Sequence, residues 1–506
     1  MAPRLTVYFT SDSHGSLFPT DFISPGPSPR GLYAMPFEKD GNTLVIDGGD
    51  TLQGSPLTAY CAQKGLPPPA AEALNALGCD YFTIGNHDFN YGKAYFGEYL
   101  RMSRGKCLCA NVSAEGLPIF PWDLKVMENG LRVGLIGLCT EVLAEWESPE
   151  NLKGVTVSPV MEAAQAAWEA LKPLKPDVLI GVYHGGLEKN PVDGSPMPGS
   201  HGDQACALCE ALPFDLLLTG HQHIAIPSAK WHGVHLVQPG VNACAYAVIT
   251  LEEDGAVSSE LRTPPPECPM TPARQALWQS LNEWLDTPIS RMARPLTPGD
   301  RLEMALHGSD IADFFNLVQM DASGAQLSCA ALANHVRGFG EAVTVRDVMA
   351  SYPFPNTLAV RRVSGAVLRH ALEKNAEYFV WKEDHAEISE KYISPVPMHF
   401  NYDFFAGISY ALDPSKPVGS RVVELLYEGR PIAPEDHLTL CMNSYRSVGG
   451  GGCDFYRNCP LVKEIQTEMT DLILAYLRAH PLVDLPKEHP IRCAIPDKTE
   501  QVQEQK

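Results

Sequence analysis

The sequence predicts a layered α/β protein built from two domains. Three observations carry that expectation. Short apolar runs alternate with helix-forming segments through the first half, a proline-rich break falls at residues 263–272, and a new pattern starts near residue 300. At 506 residues the chain is also too long for one hydrophobic core.

The elements follow in chain order. "LTVYFTSD", "TLVIDGGD", "YFTIGNHD", "RVGLIGLC", "DVLIGVYHG" and "FDLLLTGHQH" each read as a short buried strand. "PAAEALNALG" and "VMEAAQAAWEALKPL" between them carry helix formers at helical spacing. "SPGPSPRG", residues 24–31, is a turn-rich loop. "TPPPECPMTP" can be neither a helix nor a central strand, so the first domain is expected to span 1–262. "ARQALWQSLNEWLD" follows as one amphipathic connecting helix in a linker over 263–300. The second domain is expected over 301–485, with helices near 310–320 and 365–379 and strands in "TLAVRRV" and "RVVELLYEG". Residues 486–506 are polar and proline-containing and read as a flexible tail.

Charge and cysteine usage narrow the function. A formal charge of −21 argues against a nucleic-acid polymer or an anionic membrane surface as partner. It leaves room for a small anionic substrate, because a bound metal reverses the local potential. No run of about 18 apolar residues is present, so no membrane span is expected. The first residues enter a strand pattern without an apolar leader, which points to a cytoplasmic protein. Among fourteen cysteines, Cys107 and Cys109 form a C-x-C and Cys206 and Cys209 a C-x-x-C. No second pair stands at zinc-finger spacing, so the thiols read as reduced and structural. Oligomeric state is left open.

Five of the six strands end in groups that favour metals. Asp12 and His14 stand two apart, which puts both on one face of an extended backbone. Asp50 follows two glycines that allow a sharp turn. Asn86 and His87 follow the third strand, His184 ends "GVYHGG", and His221 and His223 repeat the two-apart spacing. A lone histidine in a loop is more often structural than a ligand. Five strand ends carrying such groups are another matter, because an open α/β sheet binds its ligand at the carboxyl edge. Two carboxylates, an amide and four histidines are too nitrogen-rich for Mg²⁺ or Ca²⁺ alone. Seven side chains suit two ions sharing a carboxylate, about 3.5–4 Å apart, a pair that clamps an in-line displacement at phosphorus.

Asp12-x-His14, Gly49-Asp50, Gly85-Asn86-His87-Asp88, His184 and Gly220-His221-x-His223 resemble the calcineurin-like metallophosphoesterases. The resemblance implies a four-layer αββα domain holding two divalent ions (Mn, Zn, Fe or Co). It implies one ion on Asp12, His14, Asp50 and His223, and the other on Asp50, Asn86, His184 and His221. A hydroxide held by the ions would attack phosphorus, with His87 stabilising charge or protonating the leaving oxygen. Asp88 is expected to support or cap the loop rather than bind metal.

The second domain has to name the substrate. "YPFPNTL" places Phe354 and Asn356 in a turn at the mouth of a strand, and "NSYRSVGGGG" places Tyr445 and Arg446 before a flexible glycine run. Two aromatics on loops can sandwich a nucleobase, an amide can read its edge, and an arginine can pair with phosphate. Core aromatics at strand ends give the same pattern. These segments resemble the C-terminal domain of the 5′-nucleotidase family, which implies base binding by Phe354, Asn356 and Tyr445. The family likeness also implies rotation of this domain about a hinge in 270–300. "YPFPNTL", "NYDFFAGISYALD" and "NSYRSVGG" are most similar to its bacterial 2′,3′-cyclic-nucleotide 2′-phosphodiesterase/3′-nucleotidase branch. "AALANHVRGFG" lacks the double glycine of the 5′-nucleotidase phosphate loop, and Arg337 is the candidate replacement. Asn90, an amide where many 5′-nucleotidases carry an aspartate, is expected to orient His87 without adding charge. A 5′-nucleotidase or nucleotide-sugar hydrolase is the alternative, and an inactive nucleotide-binding module a further one.

Overall fold

A computed structural model of the chain describes residues 4–494, apart from 25, 198–199, 355, 395–396 and 466. The chain separates into two compact units, 1–281 and 282–506.

Two six-stranded sheets make the first unit. In one, the order is Val257–Arg262, Tyr246–Leu251, Leu5–Thr10, Thr43–Asp47, Tyr81–Phe82 and Lys106–Cys107. The last four are parallel, and the first two attach antiparallel as a hairpin. In the other, the order is Ala225–Trp231, Val234–Pro239, Leu216–Thr219, Val178–His184, Arg132–Cys139 and Trp122–Val126. Its four inner strands are parallel, so several carboxyl ends share one edge. The sheets meet through Val7, Phe9 and Ile46 from one and Leu135, Ile180, Val182 and Leu218 from the other, all removed from water.

Parallel strands buried on both faces need helices outside them. Val160–Leu171 and Ala205–Ala211 cover the second sheet through Ala164, Leu171 and Leu208. Gly92–Met102 covers the first, with Tyr99 against Phe82 at 5.2 Å between ring centroids. Four layers, αββα, result. "RVGLIGLC" reads as the expected strand without a polar end, and its carboxyl end supplies no ligand.

The break at 263–272 does not divide the units. Helix Pro272–Leu285 begins inside the first one, with Trp278 against Phe18 and Phe22 at 5.2 and 4.8 Å. Arg274 lies 3.8 Å over the Tyr33 ring and pairs with Glu72 at 2.9 Å. Most of the helix therefore packs as part of this domain, and the division falls at 281/282.

The second unit holds a five-stranded sheet ordered Asp403–Ala406, Leu327–Ala331, His437–Asn443, Leu358–Ser364 and Leu461–Ile465. Helix Asp310–Ser323 packs on it through Phe314, Phe315 and Val318. A four-stranded sheet ends in Ile491–Cys493, parallel to Ser409–Leu412. The tail expected from residue 486 is thus corrected: Ile491–Cys493 within it form a strand, with Ile491 buried. Residues 495–506 lie outside those described.

Arg446 is an arginine almost wholly removed from water, only 1% exposed. Its Nε and one Nη both donate to Asp403 Oδ1, at 3.2 and 3.0 Å, with Oδ2 2.9 Å from Nε in the same ion pair. The remaining N–H groups reach the carbonyls of Gly450 at 2.8 Å and Phe400 at 3.2 Å. The glycine run is a cradle for these side chains and not a tether. A Cβ at Gly451 would sit 2.2 Å from the guanidinium, and one at Gly450 2.6 Å from the Tyr445 ring. Arg446→Ala leaves Asp403 charged and unpaired, with an expected loss of about 3–5 kcal/mol in chemical denaturation. Arg446→Met with Asp403→Leu removes both charges and recovers most of that loss.

Candidate metal centre

Backbone conformation builds the centre at the shared edge of the first unit. Asp12, His14, Asp50, His221 and His223 all have positive φ, between 47° and 72°. Such conformations are strained for residues other than glycine and persist only where the surroundings impose them. The motif glycines make room. A Cβ on Gly85 would fall 2.1 Å from Asp50 Oδ1, and one on Gly220 would fall 2.5 Å from Asp12 Oδ2.

The seven expected ligands converge. His14 Nε2 lies 3.0 Å from His223 Nε2, which lies 3.5 Å from Asp12 Oδ1. His184 Nε2 lies 3.1 Å from Asn86 Oδ1 and 3.2 Å from Asp50 Oδ2. Asp50 Oδ2 also lies 3.8 Å from His14 Nε2, so it faces both groups. The His221 ring stands 5.5 Å from that of His184, and the His221 backbone N–H donates to Asp12 at 2.9 Å.

Three features fit this set to cations. Asp50 Oδ2 is fully buried and has no hydrogen-bond donor. His14 Nδ1 donates to the Gln53 carbonyl at 2.9 Å and His184 Nδ1 to the Gly48 carbonyl at 2.8 Å. Both bonds place the proton on Nδ1 and aim the Nε2 lone pair inward, as a metal requires. Burial pushes His14 and His221 down to about 3, which keeps both imidazoles neutral and able to ligate. Burial raises Asp12 to about 7. His184 is driven the opposite way: burial opposes its charge, but Asp50 and Asp12 raise it to about 10.

Asp88 explains how the loops stay in place. Its carboxylate accepts four backbone N–H groups, from Gly85 at 2.8 Å, Thr51 at 2.9 Å, Leu52 at 3.0 Å and Asp50 at 3.1 Å. It binds the two loops that carry Asp50 and Asn86 to each other.

His87 hangs beside this centre. Its backbone N–H donates to Asp50 Oδ1 at 2.7 Å, and its ring stands 5.6 Å from that of His14. Asn90 Oδ1 lies 2.8 Å from His87 Nδ1. Two neighbours carried no signal in the sequence. Trp146, 53% exposed, lies 5.5 Å from the His221 ring, and Glu147 meets Asn90. Neither sits at a strand end or in a spaced motif; only the need of a buried amide for an acceptor hinted at Glu147.

The remaining candidates belong to the second unit. Phe354 is half-buried, with its ring 5.9 Å from Tyr352 and 6.4 Å from Phe400. Tyr445 is 42% exposed, on the turn whose next residue holds the Phe400 carbonyl. Asn356 is half-buried, and its carbonyl accepts the Met469 N–H at 2.8 Å. Arg337 is on the surface, 3.5 Å from Asp347. Arg446 has no face left for a phosphate, because Asp403 and two carbonyls occupy its guanidinium; that expectation is corrected.

Asp88→Ala leaves four buried N–H groups without their acceptor, at about 1–3 kcal/mol for each that finds no other. The expected outcome is a lower melting temperature together with loss of bound metal, read by calorimetry and elemental analysis.

Comparison with known proteins places this geometry. A model of calcineurin-like phosphoesterases matches residues 5–225, and a model of 5′-nucleotidase C-terminal domains matches residues 291–457. A Staphylococcus aureus protein, solved with α-ketoglutarate under a provisional 5′-nucleotidase name, is 33% identical. Its structure matches with a TM-score of 0.79 over 97% of this chain and 99% of its own. The 2′,3′-cyclic-nucleotide 2′-phosphodiesterase/3′-nucleotidase of Salmonella typhimurium is 24% identical over 81% of this chain and 74% of that protein. The trifunctional nucleotide phosphoesterase YfkN of Bacillus subtilis is 24% identical over 94% of this chain, which spans 38% of that longer protein. Among the described residues no helix is long and apolar enough to cross a membrane. The chain belongs to the 5′-nucleotidase family of phosphoester hydrolases, with a calcineurin-like phosphoesterase domain followed by a 5′-nucleotidase C-terminal domain.

Proposed function

We propose that the chain is a two-metal nucleotide phosphoesterase acting on 2′,3′-cyclic nucleotides and on the 3′-nucleotides they yield. The observation that carries the chemistry is Asp50 Oδ2, buried without a donor and facing both ligand groups. Its family implies divalent metal ions, and two of them would supply positive charge for the phosphate and an activated water. Asp12, His14, Asp50 and His223 would hold one, and Asp50, Asn86, His184 and His221 the other.

The protein's own groups do the rest. His87 reaches the edge of the centre on a loop fixed by Asp88 and Asp50, where it can hydrogen-bond a phosphate oxygen or protonate the departing ribose oxygen. Phe354 and Tyr445 would stack the base and Asn356 would read its edge. Arg337, exposed and only loosely paired, is the candidate for the phosphate.

The cyclic and 3′ preference is supported by Asn90 against His87 and by the Salmonella relative's activity. A 5′-nucleotidase reading is favoured by a different observation, the 33% identity to the Staphylococcus protein. Buried thiols, among them Cys61, Cys79, Cys107, Cys139 and Cys329, support a reducing, cytoplasmic setting.

A substrate panel separates the readings. Manganese-loaded protein should release phosphate from 3′-AMP, and open 2′,3′-cyclic AMP, with kcat/KM about tenfold or more above that for 5′-AMP. The reverse order makes the chain a 5′-nucleotidase, and no turnover by metal-loaded protein makes it a binding module. In the same assay His87→Ala should lower kcat by about 10²–10⁴-fold. Phe354→Ala and Tyr445→Ala should raise KM.

A further inference from the structure

Glu147 is a carboxylate that no motif accounts for. It caps the one-turn helix Leu143–Trp146 and is 8% exposed. Oε1 accepts the Ser148 N–H at 2.6 Å and Asn151 Nδ2 at 3.0 Å. Oε2 accepts Asn90 Nδ2 at 2.8 Å, while Asn151 also donates to the Asn90 carbonyl at 3.2 Å. The free side of the Asn90 amide faces His87 Nδ1 at 2.8 Å.

An amide can point either way, and a carboxylate can only accept. Glu147 therefore compels Asn90 to turn its NH₂ outward and its oxygen toward His87. That oxygen in turn compels Nδ1 of His87 to carry a proton, so Nε2 is the nitrogen left to take up a proton and hand it to the departing oxygen, which a donor facing Nδ1 would forbid. We propose that Glu147 is a positioning residue that sets the tautomer and orientation of His87 through the Asn90 amide. This rests on the reading of His87 as a catalytic residue, and the test below separates the two.

Glu147→Gln keeps size and shape but reverses the chain of bonds. Two donors, Ser148 N–H and Asn151 Nδ2, claim the single glutamine oxygen, so its NH₂ faces Asn90. Asn90 then flips, offers its own NH₂ to His87, and moves the imidazole proton to Nε2. Every group stays paired, so the fold is kept. Adding Asn90→Asp restores an acceptor toward both neighbours.

The measurements use the zinc-loaded full chain, with kinetics and with ¹⁵N spectra of the histidine rings, His87 being assigned by its loss in His87→Ala. The Nδ1–H signature of His87 should be present in the parent, lost in Glu147→Gln and regained in Glu147→Gln/Asn90→Asp. kcat should fall about 10- to 100-fold in the single variant with KM within about twofold, and recover in the double variant. An unchanged tautomer in Glu147→Gln overturns the relay, as does failure of the double variant to regain it. A tautomer that switches while kcat stays level, in Glu147→Gln and His87→Ala alike, upholds the relay and overturns the catalytic reading of His87.

Discussion

One buried carboxylate organises the first domain. Asp50 is 1% exposed, its Oδ1 is taken by the His87 N–H, and its Oδ2 is left facing two imidazoles. A charge in that position is tolerable only beside cations or protonated partners. His184 Nε2 lies 3.2 Å from Oδ2 and His14 Nε2 3.8 Å, the two nitrogens that would share a cation with it. The parallel strands, the motif glycines and the four amides on Asp88 all serve to hold this one side chain where solvent would otherwise reclaim it.

The rest of the centre is fixed at one remove. Backbone carbonyls of Gly48 and Gln53 set the tautomers of His184 and His14, so loop geometry decides which nitrogens can ligate. These two imidazoles are thereby secured by main chain rather than by another mobile side chain. The exception is His87, whose ring is held by the amide of Asn90 and, behind it, the carboxylate of Glu147.

The candidate metal centre was legible because strand direction does the placing. In a parallel sheet, residues just past the strand ends must gather at one edge, so Asp12, Asp50, Asn86, His184 and His221 could be grouped before any coordinates. Contacts that depend on loop path were not legible. Glu147 is 57 residues from Asn90, in a segment with no period and no motif. Arg446 misled for a related reason: tyrosine and arginine before four glycines read as an exposed clasp. A partner 43 residues upstream, Asp403, turns the same letters into a core ion pair. The strand Ile491–Cys493 was hidden by polar and proline-rich flanks around three residues.

The left-handed backbone at five ligand positions also constrains what this centre can become. Aspartate, asparagine and histidine tolerate positive φ better than other side chains with a Cβ, and they are oxygen and nitrogen donors. Backbone shape and ligand chemistry are thus selected together. Drift toward branched side chains is resisted by the chain path itself, before any cost in catalysis is felt. A centre of this build can exchange one hard-to-intermediate cation for another far more readily than it can change the kind of donor that holds it.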